Sequence, residues 1–166
     1  MQSDFLHLSF THMRYFAELA YNGTPFFGWQ RQPNEISVQQ TIEEALSTIL
    51  RTDIAVTGCG RTDTGVHAKQ YFLHFDYGAT LPPGLVSRLN KYLPESIAFY
   101  RIFEVASEAH ARFDAFERSY EYHISYQKNP FLTDTAYHFP FAEQLDVEKM
   151  QVAAQLLLKY QDFLPF

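Results

Sequence analysis

Cysteine is nearly missing from this chain of 166 residues. Cys59 stands alone, so no internal disulfide can form, and a reducing compartment fits best. The first residues carry no basic region followed by an apolar run, so no signal peptide is evident. No apolar stretch approaches the ~20 residues that a membrane helix requires. The expectation is a cytoplasmic protein that does not span a membrane. Metal-ligand spacing is missing too: the 7 histidines form no His-x-x-x-His pair, and no Cys-x-x-Cys exists, which argues against zinc. No glycine-rich loop ends in Lys-Ser or Lys-Thr, so nucleotide hydrolysis has no support. Positive charge is also scarce, with 13 Lys and Arg against 19 Asp and Glu and a formal net charge of −6. Taken alone, that balance counts against a nucleic-acid ligand.

The distribution of charge softens the objection. Between Ile54 and Phe103 the bases Arg61, Lys69, Arg88, Lys91 and Arg101 meet only Asp63, Asp76 and Glu95. Net charge does not locate a patch. Hydrophobic residues at 46% and charged residues at 19% are an ordinary globular balance, enough for one domain with a real core. Aromatics are abundant at 17%, with 16 Phe and 11 Tyr. Phe builds cores, whereas Tyr also stacks on bases while keeping a hydroxyl for hydrogen bonding.

Periodicity places the elements. Tyr15, Ala17, Leu19 and Tyr21 alternate on one face of a strand that ends at the Asn22-Gly23 turn. Ser37 is an N-cap, with Gln40 completing a capping box, for a helix whose stripe is Val38, Ile42, Ala45, Leu46, Ile49 and Leu50. A short strand near 54–57 and a second over 70–77 bracket a polar loop. Pro82-Pro83-Gly84 opens another helix, with Leu85, Val86, Leu89, Tyr92 and Leu93 inward, and Pro94 ends it. Residues 97–105 read as a strand. Tyr120, Tyr122, Ile124 and Tyr126 share a face of a further strand, and Asp146 caps a last helix with Val147, Met150, Ala153, Ala154, Leu157 and Leu158 as its apolar stripe. The class is α+β: a ferredoxin-like βαββαβ order with an added strand and helix, the helices on one face of an antiparallel sheet. Residues 1–13 read as an N-terminal extension and 14–166 as the catalytic domain. Phe163, Leu164 and Phe166 follow directly on a helix, where free ends are usually polar. The expectation is a boundary within a larger protein.

The densest polar cluster is Gly58-Cys59-Gly60-Arg61-Thr62-Asp63-Thr64-Gly65-Val66-His67. Its bland reading is a tight turn tied by an Arg61–Asp63 pair. Its chemical reading is a carboxylate nucleophile on a rigid loop, held ionised and aimed by the Arg61 guanidinium. Asp63-Thr64-Gly65 also spells the aspartic-protease triplet. That chemistry needs two carboxylates sharing one proton, so this chain would have to pair with a second copy, and Arg61 would oppose a protonated Asp63. Cys59 reads as a small buried thiol. In Pro25-Phe26-Phe27-Gly28-Trp29-Gln30-Arg31-Gln32, Phe26 or Phe27 packs on the core. Trp29 offers a stacking plane there, and Gln30, Arg31 and Gln32 donate to phosphate or bases. In Arg118-Ser119-Tyr120-Glu121-Tyr122, Tyr122 reads as a core aromatic and Tyr120, beside polar Arg118 and Ser119, as a substrate contact.

Gly60 through Ala68 closely resembles the active-site motif of the tRNA pseudouridine synthase A family. Tyr21-Asn22-Gly23, Phe27 through Gln32 and Ser37-Val38-Gln39 resemble its N-terminal segment. His110-Ala111-Arg112-Phe113-Asp114-Ala115 and Arg118 through Tyr122 resemble its central stretch. The likeness runs from about Arg14 to the last residue and implies half of a pseudouridine synthase fold. It implies an isomerase that converts uridine to pseudouridine in the anticodon stem-loop of tRNA, with no metal or organic cofactor, acting as a homodimer. Asp63 would be the nucleophile, adding to the sugar C1′ or to C6 of the base. Tyr120 would stack on the target uracil, and Arg61 would hold the nucleotide out of its stack. Trp29, Gln30, Arg31, His67 and Arg118 complete the expected substrate-binding set. Thr64 stands where the family commonly has Ala. The family's second half supplies an arginine that pairs with the nucleophile, so these 166 residues alone are expected to be inactive. A non-catalytic RNA-binding module is the rival reading, because the ferredoxin-like sheet is shared with such modules. The Lys/Arg-Gly-Phe signature of those modules is missing.

Overall fold

The computed structural model describes residues 13–162, which form two compact units, 13–119 and 120–162. Phe163, Leu164 and Phe166, and all of the expected N-terminal extension except Met13, lie outside the described residues. Among those described, no helix is long and apolar enough to cross a membrane.

The first unit is built on one sheet. Strand β1 (Met13–Tyr21) lies between β3 (Ala68–Tyr77) and β4 (Ile97–Val105), and β2 (Thr57–Gly58) pairs with the outer edge of β3. The order β2-β3-β1-β4, antiparallel throughout, is the ferredoxin-like arrangement that the element order predicts. Helices α1 (Val38–Leu50) and α2 (Leu85–Tyr92) pack together over one sheet face. The alternating residues Tyr15, Ala17, Leu19 and Tyr21 are all buried against them, with Tyr71, Leu73, Phe75, Ile97 and Phe99 from the flanking strands.

The start of α1 follows its sequence signal in part. Ser37 Oγ accepts the Gln40 N–H at 3.3 Å, whereas the Gln40 side chain donates to Glu44, so the box is not reciprocal. Val38, Ile42, Ala45, Leu46 and Leu50 are buried as their spacing predicts. On α2, Leu85 and Leu89 point inward and Leu93 follows them, but Tyr92 is exposed.

The opposite sheet face is polar and aromatic. Arg14 donates to both Asp76 carboxylate oxygens at 2.8 Å, and Glu18 accepts from Gln70 at 2.6 Å and from Arg101 at 2.5 Å. The segment after β4 folds back over this face. Arg14 Nη1 donates to the Ala109 carbonyl at 3.0 Å, and the Ala111 N–H donates to His74 Nδ1 at 3.1 Å. His74 is only 6% exposed. Burial, then the nearby Arg14 and His110, push its imidazole pKa down, against weaker opposing pulls from Asp76 and Asp114. The folded pKa therefore lies below the unfolded value of about 6.5, and protonation favours the unfolded chain. Stability should be full above that range and fall as the pH drops through it toward the lowered folded value. Urea midpoints of the wild type between pH 7.5 and 5 should show this decline, and His74→Gln should flatten it; an equal decline in both would remove His74 as its source.

The second unit is sparse. Strand β5 (Ile124–Ser125) pairs in parallel with β6 (Tyr137–His138). A 3-10 turn over Ala142–Gln144 and helix α3 (Val147–Leu157) follow. Asp146 caps α3, its side chain accepting from Lys149 N–H at 3.0 Å. Two expectations fail here. The strand predicted around 120–126 is only two residues long, and Tyr122 is 80% exposed rather than a core aromatic. The apolar stripe of α3 is exposed along its whole length. Aromatic alternation and helical spacing specify a face, but neither supplies the element that would cover it.

Candidate active site

The loop between β2 and β3 is fastened from behind at nearly every second residue. Cys59 continues the ladder, its N–H donating to the Phe72 carbonyl at 2.8 Å. The Tyr71 hydroxyl donates to the Gly60 carbonyl. Burial raises the Tyr71 phenol pKa far above its ordinary value, so that oxygen stays protonated as a donor. The Tyr21 hydroxyl pairs with Thr62 Oγ1 at 2.8 Å, and the Thr62 carbonyl accepts the Trp29 N–H at 2.9 Å. Gly65 N–H reaches the Phe26 carbonyl at 3.4 Å, and His67 Nδ1 accepts the Gly23 N–H at 3.0 Å. Accepting at Nδ1 puts the proton of a neutral His67 on Nε2. Thr62, Gly65 and His67 are half-buried, whereas Arg61, Asp63, Thr64 and Val66 face outward.

Two close approaches make this fastening possible. Gly28 has φ +82°, and a Cβ there would come within 2.6 Å of the Thr62 carbonyl oxygen. At Gly23 a Cβ would sit 2.1 Å from the Val66 carbonyl oxygen. The turn 22–29 thus abuts the backbone of the loop directly. Of the loop's own glycines, only Gly65 uses a positive φ.

Several candidate residues have roles other than those expected. Trp29 is 3% exposed, its ring 4.3 Å from that of Tyr71 and 6.1 Å from that of Tyr21. It offers no plane to a base; it is the floor under the loop, because the aromatic rings of β1 and β3 bury it. Phe26 packs into the core and Phe27 is half-exposed. Gln30 and Arg31 are exposed, with Arg31 Nη1 3.4 Å from the Glu43 carboxylate. Among the described residues, Arg61 and Asp63 do not pair with each other. The loop is held by groups of neighbouring elements rather than by a local Arg–Asp tie, and the expected Arg61 grip on the carboxylate is not formed. Arg118 hydrogen-bonds to backbone carbonyls at the base of the loop. Cys59 is a half-buried free thiol rather than a fully buried one. Tyr120 belongs to the second unit and is 76% exposed.

Sequence reasoning missed the tyrosines that do the fastening. Tyr21 was legible as a core residue of β1, and residue 71 as part of β3, but not as hydroxyl partners of the loop. The available signal was Tyr in place of Phe on the buried face of strands beside a polar loop, since a buried phenol needs a partner.

The structure thus presents an outward-facing aspartate, Asp63, on a backbone-anchored loop beside the edge strand of a ferredoxin-like sheet. The sequence model of the tRNA pseudouridine synthase family matches residues 17–114, and the chain belongs to that family. It is 49% identical over 156 residues to tRNA pseudouridine synthase A of Porphyromonas gingivalis, covering 92% of this chain and 61% of that protein. It is 47% identical over 157 residues to the protein of that name from Parabacteroides distasonis, with the same coverage. It is 42% identical over 158 residues to the one from Lactobacillus acidophilus, covering 92% of this chain and 60% of the relative. The chain therefore spans about three fifths of the length of the curated relatives it matches.

Proposed function

We propose that the protein isomerises uridine to pseudouridine in the anticodon stem-loop of tRNA, in the cytoplasm, with Asp63 as nucleophile. The observation that carries this reading is the loop itself. It is held through the backbone at Cys59, Gly60, Thr62 and Gly65 and through the His67 side chain, while the Asp63 side chain between them is exposed. A carboxylate that is fixed yet accessible can attack a nucleoside once the nucleotide has left its stack, which costs a few kcal/mol and is cheapest in a loop. Membership of the tRNA pseudouridine synthase family supports the substrate.

In the proposed sequence the Asp63 carboxylate bonds to the sugar C1′ and the C1′–N1 bond breaks, releasing uracil as its N1 anion. The base turns within the site. C5 then bonds to C1′ and the carboxylate leaves. A base removes the C5 proton, and N1 takes up a proton. Composition is unchanged, so no external donor of electrons or atoms is required. Tyr120 is proposed to stack on the uracil, with Arg61, Gln30, Arg31 and His67 about the nucleotide. Trp29 supports the loop from below. A homodimer completes the proposal.

The test uses the intact protein and tRNA transcripts tritiated at uracil C5. Release of tritium, with pseudouridine mapped to the anticodon stem-loop, is the expected result. Binding of tRNA with every uridine left unchanged would replace the reading with that of a non-catalytic RNA-binding module.

A further inference from the structure

We propose that Arg118 is a positioning residue for this reaction, holding the peptide at the root of the Asp63 loop rather than contacting RNA. The inference rests on the reading of Asp63 as nucleophile. Arg118 Nη2 donates to the Cys59 carbonyl at 2.7 Å and to the Arg112 carbonyl at 2.9 Å, and Nε donates to the Cys59 carbonyl at 3.2 Å. The Nε–Nη2 edge of the guanidinium is the fork that would otherwise meet a phosphate or a carboxylate. Here backbone carbonyls occupy it.

The place of that contact gives it leverage. Cys59 is the last residue tied to β3 by its N–H. Its carbonyl is the first group of the loop beyond the ladder, and the next carbonyl, of Gly60, is taken by the Tyr71 hydroxyl. Two donors on successive carbonyls set the direction in which the chain leaves the sheet, and Asp63 follows three residues later. Arg118 also lies beside Gly60, where an added Cβ would come within 3.3 Å of its Nε. Its own segment is held in turn, since the Ala111 N–H donates to the buried His74. Residues 111–118 thus connect β3, through the Ala111–His74 bond, to the base of the loop, through the Arg118–Cys59 bonds.

The experiment compares Arg118→Ala and Arg118→Lys in the intact protein. A displacement of about 1 Å at a reacting group costs on the order of 100-fold, so kcat should fall roughly 10- to 100-fold. KM and tRNA affinity should stay within about threefold of wild type, because no binding contact is removed. Arg118→Lys should behave like Arg118→Ala, since one ammonium cannot reproduce the planar fork on two carbonyls. Amide hydrogen exchange in Arg118→Ala should quicken at residues 60–65 while β1 and β3 keep their protection. Raised KM with kcat kept, restoration by Lys and a shallower salt dependence of binding would together mark a phosphate contact and overturn the proposal. Loss of protection throughout β1 and β3 would reduce Arg118 to a general stabiliser and overturn it too. Turnover retained by Asp63→Asn would instead defeat the nucleophile reading. The exchange comparison would still report whether Arg118 holds the loop.

Discussion

Asp63→Asn should lower pseudouridine formation by roughly 10⁴-fold or more, the order of loss when a covalent nucleophile is removed, while the protein stays folded and still binds tRNA. The substitution keeps the shape of the side chain and removes its charge and nucleophilicity. Asp63 is exposed and its carboxylate anchors nothing among the described residues, so the change should move stability by no more than about 0.5 kcal/mol, as at other surface sites. Binding draws on many phosphate contacts, and one neutralised acid should leave it intact or slightly tighter. Single-turnover tritium release, together with filter binding of the same tRNA, separates the two quantities. A variant that keeps a tenth of wild-type turnover would take Asp63 out of the covalent role.

The second large effect belongs to a residue with no chemistry of its own. Gly28→Ala should destabilise the protein by roughly 2–5 kcal/mol and cut turnover in step. The left-handed backbone at φ +82° costs an alanine about 1–2 kcal/mol. The new methyl would meet the Thr62 carbonyl oxygen at 2.6 Å, and overlap of that kind typically adds about 1–3 kcal/mol. Backbone stands on both sides of the contact, so no side chain can swing clear. Relief requires the turn at 22–29 to part from the loop, which breaks the Trp29 N–H bond to Thr62 and moves the residue beside Asp63. Urea denaturation and kcat on the same preparation read both consequences. A wild-type denaturation midpoint in Gly28→Ala would show that the two segments do not press together as described.

Much of the frame was legible because the first unit obeys local rules. Alternation over 15–21 named the buried face of β1, and helical spacing named the buried residues of α1. Gly60 through Ala68 stood out by composition, and its tie to a family of known chemistry agrees with the match over residues 17–114. The failures share one cause. Trp29 beside Gly28 and polar donors resembled a stacking surface, but Tyr21 of β1 and, from far off in sequence, Tyr71 of β3 bury it. Arg61 and Asp63 are near neighbours in the chain, yet the loop's hydrogen bonds come from β1, β3 and the turn at 22–29. The contacts of the Arg118 guanidinium with carbonyls 59 and 6 positions away have no local signal either.

The sequence by itself determined the order of elements, which strand and helix faces turn inward, and which short segment carries the proposed nucleophile. Those are properties of spacing and residue type, readable within a dozen residues. Tertiary structure alone decided how that segment is held: which tyrosine hydroxyls bond to it, which glycines let another turn lie against it, and which arginine ties down its root. Each of those contacts joins groups distant along the chain, and a hydrogen bond forms only where folding brings donor and acceptor within about 3 Å.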